Sequence, residues 1–250
     1  MKRLIFCGIL IFALTAALLP RAEPVMGWGL SFPAEGQPPA APMTPDRLRE
    51  LGGAYVDADG GKVLYLTFDA GYENGYTGKI LDILRELEVP AAFFVTGDYL
   101  SRNADLIRRM ASEGHIVGNH TLHHPDMTAL DEEAFRAELR GVEEKYFDIT
   151  GQTLPKYYRP PQGVYDEASL KRAQELGYQT VFWSLAYADW DNDRQPSPDE
   201  ALKKLNSRIH DGAVVLLHAT SKTNAEILKR LLTGWMEMGY RFEPVTELFR

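Results

Sequence analysis

The chain has 250 residues, 45% hydrophobic and 25% charged, an ordinary globular composition with length enough to bury one large core. Its formal charge of −8 argues against sequence-independent nucleic-acid binding, which needs a basic face to displace counterions from phosphates. The one cysteine, Cys7, rules out a disulfide framework.

In chain order, Lys2 and Arg3 precede an uncharged apolar run from Leu4 to Leu19 that ends among small residues, the layout of a secretory signal peptide. The run is shorter than the ~20 residues a membrane-spanning helix needs, so cleavage is expected and an uncleaved tether is the alternative. Residues 1–22 are therefore read as signal peptide or membrane tether. Residues 23–61, rich in Pro, Gly and Ala, read as an extended lead-in, with Trp28 and Phe32 pinning it to the surface.

From residue 62 short apolar runs alternate with amphipathic segments. KVLYLTF is followed by a helix over 79–87, AAFFV by 104–113, HIVGN by 131–149, KYYR by 167–176, QTVFW by 198–209 and AVVLL by 224–238, with a last strand at 240–242. Ser197 with Glu200, and Thr223 with Glu226, fit capping boxes, and Gly114, Gly151, Gly177 and Gly239 stand where helices should stop. This alternation predicts an α/β domain of about seven units, either a closed or nearly closed β/α barrel or an open doubly wound sheet. No glycine-rich loop follows the first strand, which weakens the nucleotide-binding form of the second.

Five polar residues fall at or after carboxyl ends of these strands: Asp69, His120, Arg159, Asp189 and His218. In β/α barrels those ends share one face, where active sites are built. His120 and His124 are spaced i and i+4, which on a helical turn aims both imidazoles at one point, as a divalent metal requires. His115 and His210, without evident polar companions, are assigned structural roles. Among the aromatics, Tyr72, Tyr76, Tyr187 and Trp190 are candidates to stack on sugar faces, whereas Trp183, at a strand centre, is read as core.

Five ordered stretches carry a family resemblance: Thr67-Phe68-Asp69-Ala70-Gly71, His120-Thr121-Leu122-His123-His124, Arg159-Pro160-Pro161-Gln162-Gly163, Asp189-Trp190 and Leu216-Leu217-His218. Residues 62–250 thereby resemble the polysaccharide deacetylases of carbohydrate esterase family 4. The resemblance implies a single distorted (β/α)7 barrel with Asp69 as general base, His218 as general acid, Arg159 pairing with the base and Asp189 orienting the acid. It implies His120 and His124 as ligands of a divalent metal, zinc being expected. Pro161, Gly163, Trp190 and Leu216 are assigned to the substrate.

The family places a second, metal-binding aspartate where this chain has Ala70. With that ligand gone, weak metal binding or water at the vacant position is expected, with Glu73 or Asp126 as less favoured replacements. The stretches 69–76, 183–191 and 218–226 resemble the δ-lactam-forming de-N-acetylases of spore-forming bacteria, which implies N-acetylmuramic acid of peptidoglycan as substrate; with the N-terminal layout, a secreted, cell-wall-associated protein is expected, as a monomer. The alternatives are a deacetylase of N-acetylglucosamine polymers, an esterase on acetylated glycan, and a glycan-binding barrel without activity. No nucleic acid and no stable protein partner are expected.

Overall fold

A computed structural model describes residues 24–250, so the segment read as signal peptide or tether lies outside the described residues. Among the described residues no helix is long and apolar enough to cross a membrane.

The longest strand, β3 (Val63–Ala70), follows two short ones, β1 (Met26–Gly27) and β2 (Gly53–Ala54). It is buried along its whole length, as is β4 (Ala91–Val95). That is why both read as continuous apolar runs rather than alternating ones: a parallel strand between a barrel interior and a helix layer meets no water on either face. Two faces still exist. Leu64, Leu66, Phe68 and Ala70 join the cluster shared with the helices, whereas Val63 and Tyr65 join Phe94, Val181 and Val214. Period-two alternation then sets Thr67 and Asp69 on the interior face.

Strands β5 (Ile116–Asn119), β6 (Tyr157–Tyr158), β8 (Gln179–Val181) and β9 (Ala213–His218) complete a parallel sheet in the order β9-β3-β4-β5-β6-β8-β2. β7 (Val164–Tyr165) lies outside it, paired antiparallel with β1, and β10 (Arg241–Phe242) runs beside the start of β3. The sheet curls until its ends meet, because the chain after β8 reaches β9: Leu185 N donates to Val214 O at 3.1 Å and Leu216 N to Leu185 O at 2.8 Å. Ser184 Oγ holds the same seam. It lies 3.0 Å from Nε2 of buried His210 and accepts from Val214 N at 3.1 Å, so His210 has the polar companion that the sequence did not reveal. The result is a distorted β/α barrel with seven main strands.

The outer helices are α2 (Thr77–Glu86), α4 (Ala104–Ser112), α5 (Glu132–Thr150), α6 (Glu167–Glu175), α7 (Pro198–Arg208) and α8 (Lys222–Glu237), within two residues of the expected spans; a short α3 (Gly97–Arg102) was not anticipated. The four expected stop glycines all adopt positive φ. Ser197 and Glu200 form the expected capping box, but α8 starts from Ser221, whose Oγ accepts from Asn224 N at 3.1 Å, and Thr223 lies inside the helix. The serine three residues before that amide is the better-placed acceptor.

The lead-in also needs correction. Residues 45–54 hold α1 (Pro45–Glu50) and β2, and Leu48 and Leu51 are buried. Thr44 caps α1 with Pro45 at its first position, but six residues are too few to display periodicity. Further upstream, Trp28 stacks on Phe182 with ring centroids 4.1 Å apart, and its indole N–H donates to Trp183 O at 2.9 Å. Trp28→Ala should destabilise the protein by about 3–5 kcal/mol in urea unfolding, the cost of truncating a buried aromatic. An unchanged midpoint would mean that the segment is only laid on the surface.

Candidate active site

The interior face of β3 delivers Asp69 to the carboxyl end of the barrel, and Arg159, one residue past β6, meets it there. Arg159 is fully buried. Its Nη1 donates to Asp69 Oδ1 at 2.7 Å, Nη2 to Thr67 Oγ1 at 2.9 Å and Nε to Val181 O at 2.9 Å. The guanidinium also lies over the Phe94 ring, 4.2 Å from its centroid. With Oδ1 occupied, Oδ2 is the free edge of the carboxylate. Burial pushes the Asp69 pKa up, but Arg159 foremost, then His120 and His218, hold it below the usual carboxylate value.

His120 follows β5 directly. Its Nδ1 lies 2.8 Å from Arg159 O, which can only accept, so Nδ1 carries the proton and Nε2 turns a lone pair towards Asp69 Oδ2, 3.7 Å away. Burial, against the pull of Asp69, lowers its pKa to about 4, so the ring is neutral at physiological pH. His124 packs edge-on against it with ring centroids 4.9 Å apart, and burial lowers its pKa too.

The sequence expected a helical turn to join these two rings, and there is none. Residues 120–126 form a loop in which Thr121 and His124 adopt φ of 69° and 59°. Left-handed backbone at non-glycine residues costs about 1–3 kcal/mol each and persists only where its surroundings enforce it. Here Asn119 Oδ1 accepts from Thr121 N, and Thr121 Oγ1 from His124 N, both at 2.9 Å. His123 is drawn aside by Glu138, whose carboxylate accepts from His123 N at 2.8 Å and lies 2.7 Å from its Nδ1.

Opposite stands His218, the last residue of β9. Asp189, 1% exposed, holds both its backbone N–H at 2.8 Å and its Nδ1 at 2.7 Å, leaving Nε2 as the other ring nitrogen. Asn224 Nδ2 donates to the same carboxylate at 2.6 Å, an orienting contact that the sequence reading did not assign. Burial opposes the imidazolium, yet Asp189, by charge and hydrogen bond, raises its pKa above the ordinary histidine value.

Two adjoining cavities of about 410 and 770 Å³ share Asp69, His120, His124, Trp190 and His218. Residues up to 149 positions apart thus converge on one mouth. Gly163, Trp190 and Leu216 line the larger cavity, whereas Pro161 is buried and lines neither. Gly163 sits at φ +66°, and a Cβ there would come within 2.8 Å of Trp183, which is why no side chain is tolerated. Its N–H donates to Pro160 O at 3.1 Å, so that amide is already committed. Tyr72 and Trp190, 48% and 60% exposed, flank the smaller cavity. Trp183, expected in the core, forms part of the larger cavity's wall, because the segment carrying it leaves the sheet after β8.

No group of three or more His, Cys, Asp or Glu side chains able to hold a metal occurs among the described residues. Ala70 belongs to the apolar cluster of Phe68, Phe93 and Val95. Glu73 is committed to Gly75 N and the Tyr99 hydroxyl, and Asp126 to Thr128 N, so neither replaces the missing ligand. Two neutral imidazoles beside the free edge of Asp69 fit a loosely held divalent ion, with fewer protein ligands than the usual catalytic zinc site.

A curled parallel barrel with a carboxylate–guanidinium couple facing an imidazole–carboxylate couple can serve hydrolysis by paired proton transfers. The polysaccharide deacetylase family model matches residues 57–181. The peptidoglycan-N-acetylmuramic acid deacetylase PdaA of Bacillus subtilis is 43% identical over 90% of this chain and 86% of that one. The PdaA structure superposes with a TM-score of 0.85 at 41% identity, covering 90% of this chain and 96% of that one. A family 4 carbohydrate esterase of Bacillus anthracis gives 0.75 at 44% identity over 90% and 96%. A family 4 pseudoenzyme of the same species gives 0.73 at 28% over 83% and 70%. The chain belongs to the polysaccharide deacetylases, carbohydrate esterase family 4.

Histidine titration by NMR tests the electrostatics directly. His218 should keep its proton above pH 6.5 in the wild type. In Asp189→Asn the charge and hydrogen bond that most favour the imidazolium are weakened or lost, and the midpoint should fall. An unmoved midpoint would remove Asp189 as the cause.

Proposed function

We propose that the protein removes the N-acetyl group from N-acetylmuramic acid in peptidoglycan, outside the cytoplasm at the cell wall, carried there by the signal peptide or tether at residues 1–22. The observation that carries this is the meeting of Asp69 and His218 in one cavity, each fixed by a buried partner of opposite charge. The 43% identity to a muramic acid deacetylase supports the substrate.

Amide hydrolysis needs a nucleophilic water, stabilisation of a tetrahedral oxyanion and a proton for the departing nitrogen. Asp69 takes the proton from water through Oδ2, since Oδ1 is engaged by Arg159. His218, protonated because Asp189 favours the imidazolium, gives a proton from Nε2 to the leaving amine. His120 and His124 would hold a divalent ion, zinc in this reading, whose charge would stabilise the developing oxyanion when it is bound. Trp190, Leu216 and Gly163 shape the wall against which the sugar lies. The amine freed beside the lactyl carboxyl can then close with it to muramic δ-lactam, with loss of water.

The vacancy at Ala70 and the likeness to a pseudoenzyme favour a second reading, a barrel that binds glycan without acting on it. Asp69→Asn separates the two, because asparagine still offers Arg159 an acceptor but cannot take a proton. Acetate release from peptide-stripped glycan strands should fall by about 10²–10⁴-fold with glycan affinity retained. No release by either protein, with glycan still bound, would leave only the binding role, and equal measurable release by both would remove Asp69 as the base.

The rate should rise through an acid limb below the usual carboxylate range, as Asp69 ionises. It should fall through an alkaline limb above the ordinary histidine value, as His218 loses its proton. Chelation should lower activity, and zinc should restore it only at concentrations above those that a three-ligand site needs.

A further inference from the structure

We infer that Arg208 binds the lactyl carboxylate of the muramic acid residue and so sets the substrate preference of the site, an inference that rests on the substrate proposed above. Arg208, the last residue of α7, lines the larger cavity together with Asp69 and His218. It is the one arginine or lysine among the residues lining either cavity. Its guanidinium lies over the Phe32 ring, 4.1 Å from the centroid, and its Nη1 donates to Ala186 O. Among the described residues, no acceptor meets its other nitrogens and no carboxylate forms an ion pair with it. Burial lowers its pKa and no acid offsets that effect. A cation held still by an aromatic face and a carbonyl, with a free edge and no counter-charge, is prepared for an anion.

The substrate's chemistry puts that anion nearby. The lactyl group sits on O3, beside the C2 nitrogen, and its carboxyl can close on that nitrogen in a six-membered ring. An acetamide placed between Asp69 and His218 therefore brings the carboxylate into the same cavity. Arg159 is spent on Asp69 and His218 on Asp189, which leaves Arg208 as the uncommitted cation among the described residues at the cavities. Phe32 comes from the N-terminal segment that Trp28 anchors, so the lead-in takes part in recognition.

A purely structural role is the competing account, since an arginine in the last turn also complements the helix dipole. It predicts lower stability without any change in preference. The test measures acetate release by wild type, Arg208→Gln and Arg208→Lys on glycan strands stripped of peptide, with the lactyl carboxyls either free or methyl-esterified. Arg208→Gln should raise KM on the free strands by about 10–100-fold, the range of a lost charged hydrogen bond, with Arg208→Lys in between. Neither should alter KM on the esterified strands. Equal losses on both preparations, or none on the free strands, overturn the inference, while wild-type activity on the free strands keeps the proposed substrate. A wild type that acts on N-acetylglucosamine oligomers but on neither strand preparation overturns the substrate, and the inference falls with it. Should Arg208→Gln not fold, Arg208→Lys decides by the same ratio of KM values.

Discussion

The buried pair of Asp69 and Arg159 is the constraint on which barrel and site both depend. Taking a guanidinium fully out of water costs several kcal/mol even after the protein relaxes. The cost is met by a carboxylate on β3, a hydroxyl on the same strand, a carbonyl at the end of β8 and the Phe94 face on β4. Arg159 thus ties separate strands together across the barrel interior at the level where their carboxyl ends open. Losing either partner would leave an uncompensated buried charge, worth about 3–5 kcal/mol. The carboxylate that faces the cavity is therefore also a structural element, kept ionised by the group that needs it for burial.

A second consequence is the separation of two proton affinities in one small space. Desolvation pushes Asp69 towards its neutral acid and His218 towards its neutral imidazole. In each case a fixed opposite charge wins, so an ionised carboxylate and a protonated imidazole coexist over a common pH range. His120 and His124 have no carboxylate held against them as Asp189 is held against His218, and burial prevails there. Four polar side chains at one mouth thus keep different protonation states because their neighbours differ, although three of them are the same residue type.

Legibility in the sequence followed the range of the forces involved. Strands β3, β4 and β9 and the long helices could be read because burial on both faces, or on one stripe, writes its period into consecutive residues. The carboxyl-end position of Asp69, His120, Arg159 and His218 follows from that pattern alone. Contacts set by three-dimensional closure could not be read: Ser184 with His210 at the barrel seam, Trp28 on Phe182, and Phe32 beneath Arg208. The pairing of His120 with His124 was visible as a spacing. Its geometry was not, because the rings are joined through left-handed backbone at Thr121 and His124, a conformation that neither residue type announces. Asp189 at the imidazole was available from family likeness only, since no local pattern links residues 29 apart.

The alanine beside Asp69 gains a reason when the charges at the mouth are considered together. Ala70 turns into the apolar layer shared with the helices, leaving Asp69 as the carboxylate facing both cavities at the end of β3. Two carboxylates roughly 8 Å apart in a medium of effective dielectric constant ~20 repel by about 2 kcal/mol. A second aspartate at the strand end would therefore oppose a substrate that carries its own carboxylate next to the scissile amide. Alanine at this position leaves one negative charge fewer at the end of β3. Arg208 lines the larger cavity with no ion-pair partner among the described residues, so for the proposed substrate the charges at the mouth favour an anionic sugar over a neutral one.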